Sequence, residues 1–141
     1  MIRCPHCAAS NRVPGSRLVD RPNCGRCHRT LFTGQPLALD EAGFDRLVAS
    51  EGIPLLVDFW APWCGPCLQM APAFAAAAGS LEPRVRLAKV DTEAAPALGA
   101  RFAIRSIPTL ILFRAGREVA RQPGALQRTA IVDWTLSAMA R

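Results

Sequence analysis

The feature that most constrains this chain is a pair of cysteines placed between an apolar run and an apolar helical segment. Residues Leu55–Trp60 are typical of a buried strand, and residues 68–78 have the composition of a helix. Cys64 therefore falls at a helix N-terminus, where unpaired N–H groups and the helix dipole favour a thiolate. Cys67 follows one turn later on the same face, within reach of a disulfide with Cys64. The arrangement predicts a redox-active dithiol.

The chain from residue 37 onward alternates between strand and helix patterns. The predicted strands are 37–39, 53–60, 85–90, 109–113 and 118–121. The predicted helices are 41–50, 64–79, 94–100 and 127–140. Asp40 is expected to cap the first helix, Pro72 to kink the second, and residues 114–117 to form a hairpin turn. This order predicts an α/β fold, in which a mixed central sheet has helices on both faces.

The N-terminal part of the chain has a different composition, rich in Arg, Pro, Gly and Cys. Its cysteines form two Cys-x-x-Cys pairs with the spacing of a four-thiolate zinc site, and the predicted ligands are Cys4, Cys7, Cys24 and Cys27. Bound zinc would replace a missing hydrophobic core, because metal binding supplies folding free energy. An iron site and a set of redox-active thiols are the alternatives. His6 and His28 adjoin the cysteines and are expected to face solvent as loop residues.

The change in composition predicts three segments. Residues 1–32 form a small zinc-ribbon-like module, residues 33–36 a linker, and residues 37–141 the α/β domain. Because half of the chain is hydrophobic, the long segment can bury a core of its own, whereas residues 1–30 contain too few large apolar side chains to do so.

The net charge of +6 is concentrated near the N-terminus. Residues 1–35 hold six arginines and one acidic residue, and four metal-bound thiolates would offset part of that excess. The remaining charge is too small to indicate nucleic-acid binding. No apolar run approaches the ~18 residues of a membrane span and no export signal is evident, so we expect a cytoplasmic protein without membrane contact. Cysteines in that reducing compartment act as metal ligands or catalytic thiols.

Residues 37–141 carry a set of motifs whose order and spacing resemble those of the thioredoxin family. The matching pieces are Val57-Asp58-Phe59-Trp60-Ala61, Trp63-Cys64-Gly65-Pro66-Cys67, Ala71-Pro72, Ala88-Lys89-Val90-Asp91, Ile107-Pro108-Thr109 and Pro123-Gly124-Ala125. With the N-terminal cysteines added, the whole chain resembles the zinc-containing thioredoxin 2 subgroup. A lone Cys-x-x-Cys would be weak evidence, but the combined set is specific.

The resemblance implies a role for each residue at the centre. Cys64 matches the attacking cysteine and Cys67 the resolving cysteine. Asp58 matches a buried acid that moves a proton to and from the resolving thiol, and Lys89 matches a lysine beside that acid. A carboxyl in an apolar strand is expected to have a raised pKa, which suits this role. Pro108 matches a proline with a cis peptide bond next to the dithiol.

The resemblance also implies a docking surface and partners. The matching surface residues are Trp60, Trp63, Gly65, Pro66, Ile107 and Gly124. The implied activity is reduction of disulfides in oxidised protein substrates, with regeneration by thioredoxin reductase and NADPH. Three positions depart from the family pattern: Leu68 stands where lysine is usual, Ser106 where glycine is common, and Pro123 where valine is common. Leu68 removes a positive charge near the dithiol, which is expected to weaken stabilisation of the thiolate, and it makes the docking face more apolar. Ser106 and Pro123 are expected to narrow the range of accepted substrates without touching the reacting atoms.

Three other functions remain open from the sequence. A disulfide oxidase or isomerase would use the same atoms, but the missing export signal and the dipeptide Gly65-Pro66 argue against it. A zinc-ribbon module that recruits a protein or nucleic acid would account for the arginines, although residues 1–31 lack an aromatic side chain for stacking on bases. A chaperone switched by oxidative loss of zinc is the third hypothesis.

Overall fold

The computed structural model describes residues 1–140, which form a five-stranded sheet with helices and a small N-terminal hairpin. The strands are β1 (Ile2–Arg3), β2 (Ser10–Asn11), β3 (Leu37–Ala38), β4 (Leu55–Trp60), β5 (Arg86–Asp91), β6 (Thr109–Arg114) and β7 (Arg117–Pro123). The helices are α1 (Glu41–Ser50), α2 (Gly65–Leu81), α3 (Pro96–Arg101) and α4 (Arg128–Met139), with a 3-10 helix at Gly15–Asp20. Among these described helices, none has the length and apolar character needed to cross a lipid bilayer.

The central sheet has the strand order β3-β5-β4-β6-β7. Strands β3, β5 and β4 are parallel, whereas β6 and β7 each run antiparallel to their neighbours. Helices α2 and α4 pack on one face, against side chains such as Leu56 and Leu110. Helices α1 and α3 pack on the other face, against side chains such as Val57 and Ile111. The predicted mixed sheet with helices on both faces is confirmed.

The middle strand, β4, carries the only acidic side chain that is completely buried among the described residues. Because helices cover both faces of the sheet, β4 is apolar in both directions except at Asp58, which is 0% exposed. The two-residue period of a strand puts Asp58 on the same face as Leu56, beneath α2. The fold thus holds one carboxyl under the helix that bears the dithiol.

Several element ends differ slightly from the predicted ends. Helix α2 begins at Gly65 because Cys64 has extended backbone dihedrals and acts as the N-cap; the helix then continues through Pro72 to Leu81. Strand β4 begins at Leu55, since Ile53 packs instead against the N-terminal module. These shifts do not alter the order of the elements.

The N-terminal module has a small apolar core, although its composition predicts too few large apolar side chains for one. Ile2 and Leu31 are buried together with two of the cysteines, and Ile53 packs against them from the α/β domain. The backbone of Gly52 donates a hydrogen bond to the carbonyl of Met1 at 2.8 Å. A Cβ at Gly52 would lie 2.8 Å from that oxygen, so glycine permits this close approach. The module therefore completes its core by packing on the larger domain.

A buried arginine joins the two parts of the chain. Arg86, the first residue of β5, is 0% exposed and donates to the Glu51 carboxylate at 3.1 Å, to the Leu31 carbonyl at 2.6 Å and to the Arg3 carbonyl at 2.9 Å. Its guanidinium also lies 4.6 Å from the centre of the Phe32 ring. We call this set of contacts the Arg86 cluster. It ties residues 1–32 to the sheet, although the exact boundary between the segments stays a prediction.

Candidate dithiol centre and metal site

The predicted dithiol lies at the start of α2. Cys64 and Cys67 form a disulfide, and both are buried, with exposed fractions of 5% and 2%. The Cys64 N–H donates to the Ala61 carbonyl at 3.1 Å, which closes the turn that enters the helix. The Cys67 N–H points at the Cys64 sulfur, 3.2 Å away. Pro66 at the first turn lacks an N–H that would have no helical partner anyway. An anionic sulfur at Cys64 is therefore stabilised by the helix N-terminus.

Asp58 has the electrostatic properties expected of a proton carrier. Neither oxygen of its carboxyl has a hydrogen-bond partner within residues 1–140. Burial raises the pKa of Asp58 to about 7, and the positive charge of Lys89 opposes that rise. Lys89 is the register partner of Asp58 on β5, and its ammonium lies 4.5 Å from the centre of the Trp60 ring. The structure therefore brings the predicted acid and the predicted lysine together.

The predicted proline lies opposite the dithiol. The peptide bond between Ile107 and Pro108 is cis, and the Ile107 carbonyl lies 3.7 Å from the Cys64 sulfur. The Gly124 N–H donates to the Pro108 carbonyl at 2.8 Å, and the positive φ of Gly124 (+95°) explains the choice of glycine. The segment before β6 and the segment after β7 thus meet beside Cys64.

The predicted docking residues surround the disulfide at different depths. Trp60 and Ile107 are half-buried and pack against the two cysteines. Trp63 is 71% exposed, and Gly65, Pro66 and Gly124 are also exposed. Leu68, which the sequence predicts to make the docking face more apolar, is 53% exposed directly after Cys67. Its position in the first turn of α2, four residues after the N-cap Cys64, puts it beside the predicted docking residues.

The four N-terminal cysteines converge on one point. All four sulfurs lie within 4.8 Å of one another, and Cys4–Cys27 and Cys7–Cys24 are each separated by 3.6 Å. Tetrahedral zinc with bonds of about 2.3 Å requires sulfur separations of about 3.8 Å, so this donor set fits the ion. The His6 side chain is exposed, as is that of His28, in agreement with their expected place outside the ligand set.

The backbone around these cysteines forms two similar knuckles. The N–H of His6 points at the Cys4 sulfur at 3.3 Å, and that of Arg26 at the Cys24 sulfur at 3.4 Å. Each knuckle closes on a residue with positive φ, Ala8 in the first and His28 in the second. Hydrogen bonding from the backbone of Cys27 lowers the pKa of the Cys24 thiol to about 6, whereas burial and the neighbouring sulfurs raise the pKa of the Cys27 thiol to about 11. Without a cation, the crowded sulfurs therefore do not all ionise together, and a metal ion would be needed to hold four thiolates.

Comparisons with known proteins identify a family for each part of the chain. The family model described as Thioredoxin matches residues 35–137, and the model described as Thioredoxin 2, N-terminal matches residues 3–29. The chain is 47% identical to Thioredoxin C-3 of Corynebacterium nephridii over 134 residues, covering 95% of this chain and 92% of that protein. It is 41% identical to a thioredoxin of Haemophilus influenzae over 98 residues, covering 70% and 92% of the two chains.

Solved structures give the same result for the fold. Chloroplastic thioredoxin z superimposes with a TM-score of 0.68 at 28% identity, covering 76% of this chain and 96% of its own. A mutant thioredoxin from Halobacterium salinarum superimposes with a TM-score of 0.66 at 29% identity, covering 74% and 91%.

Proposed function

Since this chain belongs to the thioredoxin family and is a protein-disulfide oxidoreductase with an N-terminal zinc-ribbon module, we propose that Cys64 and Cys67 carry its electrons. The Cys64 thiolate attacks one sulfur of a substrate disulfide, whose S–S bond breaks as a mixed disulfide forms. The leaving thiolate takes a proton. The Cys67 thiolate then attacks the Cys64 sulfur and releases the second substrate thiol. Two electrons pass to the substrate, and the Cys64–Cys67 disulfide remains.

The observation that carries this mechanism is the buried, unpartnered carboxyl of Asp58. Cys67 must lose a proton before it can attack, and the residue is only 2% exposed in the disulfide form, so bulk water has little access to its sulfur. A carboxyl with a pKa of about 7 can accept that proton and return it near neutral pH. Lys89 keeps the pKa of Asp58 from rising further, because its charge favours the ionised carboxylate.

The test of this proposal is reduction of insulin disulfides with dithiothreitol as the electron donor. Wild-type protein is expected to catalyse the reaction and Cys64→Ser to lose it. Asp58→Asn is expected to slow the reaction about a hundredfold at pH 7, which is the lower end of the range for general acid–base catalysis. An Asp58→Asn rate equal to wild type, or activity in Cys64→Ser, would refute the assigned roles.

We propose that Cys4, Cys7, Cys24 and Cys27 hold one Zn²⁺ as a structural ion. When bound, the ion would fix the two knuckles and supply folding free energy to the module. Purified protein is expected to contain one equivalent of zinc, and the Cys4→Ser/Cys7→Ser variant none. One equivalent of zinc retained by that variant would contradict the assignment, as would iron in the wild type.

We also propose the partners and compartment that this activity requires. Regeneration of the dithiol needs a two-electron donor, and thioredoxin reductase with NADPH is the proposed source in the cytoplasm. A coupled assay is expected to show NADPH oxidation that depends on this protein and on a disulfide substrate. Absence of that dependence, with insulin reduction by dithiothreitol intact, would reject the reductase and keep the dithiol mechanism.

A further inference from the structure

The dithiol is flanked in sequence by two large apolar side chains that are exposed. Trp63 precedes it and Leu68 follows it, and the only other large hydrophobic residues exposed to this degree within residues 1–140 are Met1 and Val19. Leu68 belongs to none of the hydrophobic clusters of the described part of the chain. Its side chain therefore contributes little to the stability of the fold.

Helix geometry directs Leu68 toward the attacking sulfur. The Leu68 N–H donates to the Cys64 carbonyl at 3.1 Å, and the two residues are four apart on one helix face. Side chains in a helix lean toward its N-terminus, so Leu68 leans toward Cys64. A substrate sulfur that reaches Cys64 brings its neighbouring side chains against Leu68.

The segment that carries Leu68 offers no exposed charge to a substrate. The chain has no charged residue between Asp58 and Glu82, and Asp58 is buried. A charged substrate side chain against Leu68 would lose water without gaining an ion pair from this segment, whereas an apolar one would bury the exposed part of Leu68.

We propose that Leu68 is a specificity-determining residue that contacts an apolar side chain next to the reactive cystine of a protein substrate. The inference rests on the proposed function and adds to it a preference for substrates with an apolar residue beside the cystine. Burial of a half-exposed leucine against an apolar partner corresponds to roughly a three- to tenfold gain in kcat/KM, mainly through a lower KM.

The experiment uses cystine peptides that are identical except for one residue beside the cystine: Leu, Gly, Glu or Lys. Wild-type protein is expected to reduce the Leu peptide roughly three- to tenfold more efficiently than the Gly peptide. Leu68→Ala is expected to bring the ratio of kcat/KM for the Leu peptide over the Gly peptide down to about one. Leu68→Lys is expected to favour the Glu peptide over the Lys peptide. Val19→Ala, an exposed apolar residue in the N-terminal module, is the matched control and keeps the wild-type ranking.

Two outcomes would overturn the proposal. The first is a Leu68→Ala variant that keeps the wild-type preference for the Leu peptide. The second is a Leu68→Ala variant that slows all four peptides equally, since that result would mean an effect on the reactivity of Cys64 and none on selection. Failure of the wild type to reduce even the Gly peptide would instead refute the proposed function, and this inference with it.

Discussion

Within residues 1–140, Arg86 and Asp58 are both fully buried, and the two sites differ in whether their polar atoms have hydrogen-bond partners. In the Arg86 cluster, the guanidinium has three acceptors and both Glu51 oxygens accept hydrogen bonds, one from Arg86 and one from the Arg3 N–H. Asp58, on the neighbouring strand, has no hydrogen-bond partner for either oxygen among the described residues. A buried charge with a full set of hydrogen bonds stabilises one arrangement of the chain. A buried carboxyl without such partners has a raised pKa and gains or loses a proton near neutral pH. The first site serves the architecture and the second serves proton transfer.

Breaking the Arg86 cluster is expected to give the largest effect on stability. Arg86→Met leaves the Glu51 carboxylate buried without its ion-pair partner, and loss of one member of such a pair costs about 3–5 kcal/mol of unfolding free energy. Urea unfolding at pH 7 measures the change. Arg84→Met, an exposed arginine two residues earlier, is the matched control and should change stability by less than about 0.5 kcal/mol.

The double variant Arg86→Met/Glu51→Leu isolates the pair. Removing both charges is expected to recover at least half of the lost stability, because no buried charge then remains unpaired. Equal unfolding free energies for Arg86→Met and Arg84→Met would show that the cluster does not hold the two parts of the chain together.

The two sites also differ in how far the sequence predicts them. Asp58 stands alone among apolar residues in a strand pattern, so its burial and raised pKa follow from local sequence. Arg86 falls in an alternating strand pattern where an arginine is expected to face solvent. Its acceptors Leu31 and Arg3 are 55 and 83 residues away, and no local pattern encodes such contacts.

The same distinction applies to the rest of the fold. The strands, the helices and the Cys-x-x-Cys pairs are each encoded by patterns that span a few residues. The structure has these elements in the predicted order, with small shifts at their ends. The docking of residues 1–32 on the sheet depends on long-range packing around Ile53 and Arg86, which only the folded structure reveals.

The second prediction concerns the pH dependence that Asp58 imposes. Its folded-state pKa of about 7 lies above the ordinary value of 3.8, so the native state binds more protons than the unfolded state between these values. Stability therefore falls as pH rises through this window, by up to about 4 kcal/mol once the carboxyl is ionised. Chemical unfolding of oxidised protein at several pH values measures the slope.

Asp58→Asn is the matched variant for this slope. It cannot ionise, so it is expected to lose up to about 4 kcal/mol less stability than the wild type between pH 4 and 8, with the remaining slope due to other groups such as Glu82, and to be more stable than the wild type at pH 8. A variant that shows the same decline as the wild type would assign the slope to other groups. If Asp58→Asn destabilised the protein as much as Arg86→Met does, Asp58 would also have a structural role, and the contrast between the two sites would be wrong.

The third and smallest effect belongs to Glu82, which is intermediate between the two sites. One of its oxygens accepts the Gly34 N–H at 3.0 Å, and the other has no partner in the described chain. Burial raises the pKa of Glu82, while the Gly34 hydrogen bond and the charge of Arg86 oppose that rise. Glu82→Gln keeps an acceptor for Gly34 and removes the charge, so the variant should be slightly more stable at pH 8, by less than about 1 kcal/mol after solvent screening. The gain should vanish at pH 4, where the wild-type carboxyl is protonated. A loss of stability above pH 7 would mean that the Glu82 charge supports Arg86, and that the Arg86 cluster extends to a second carboxylate.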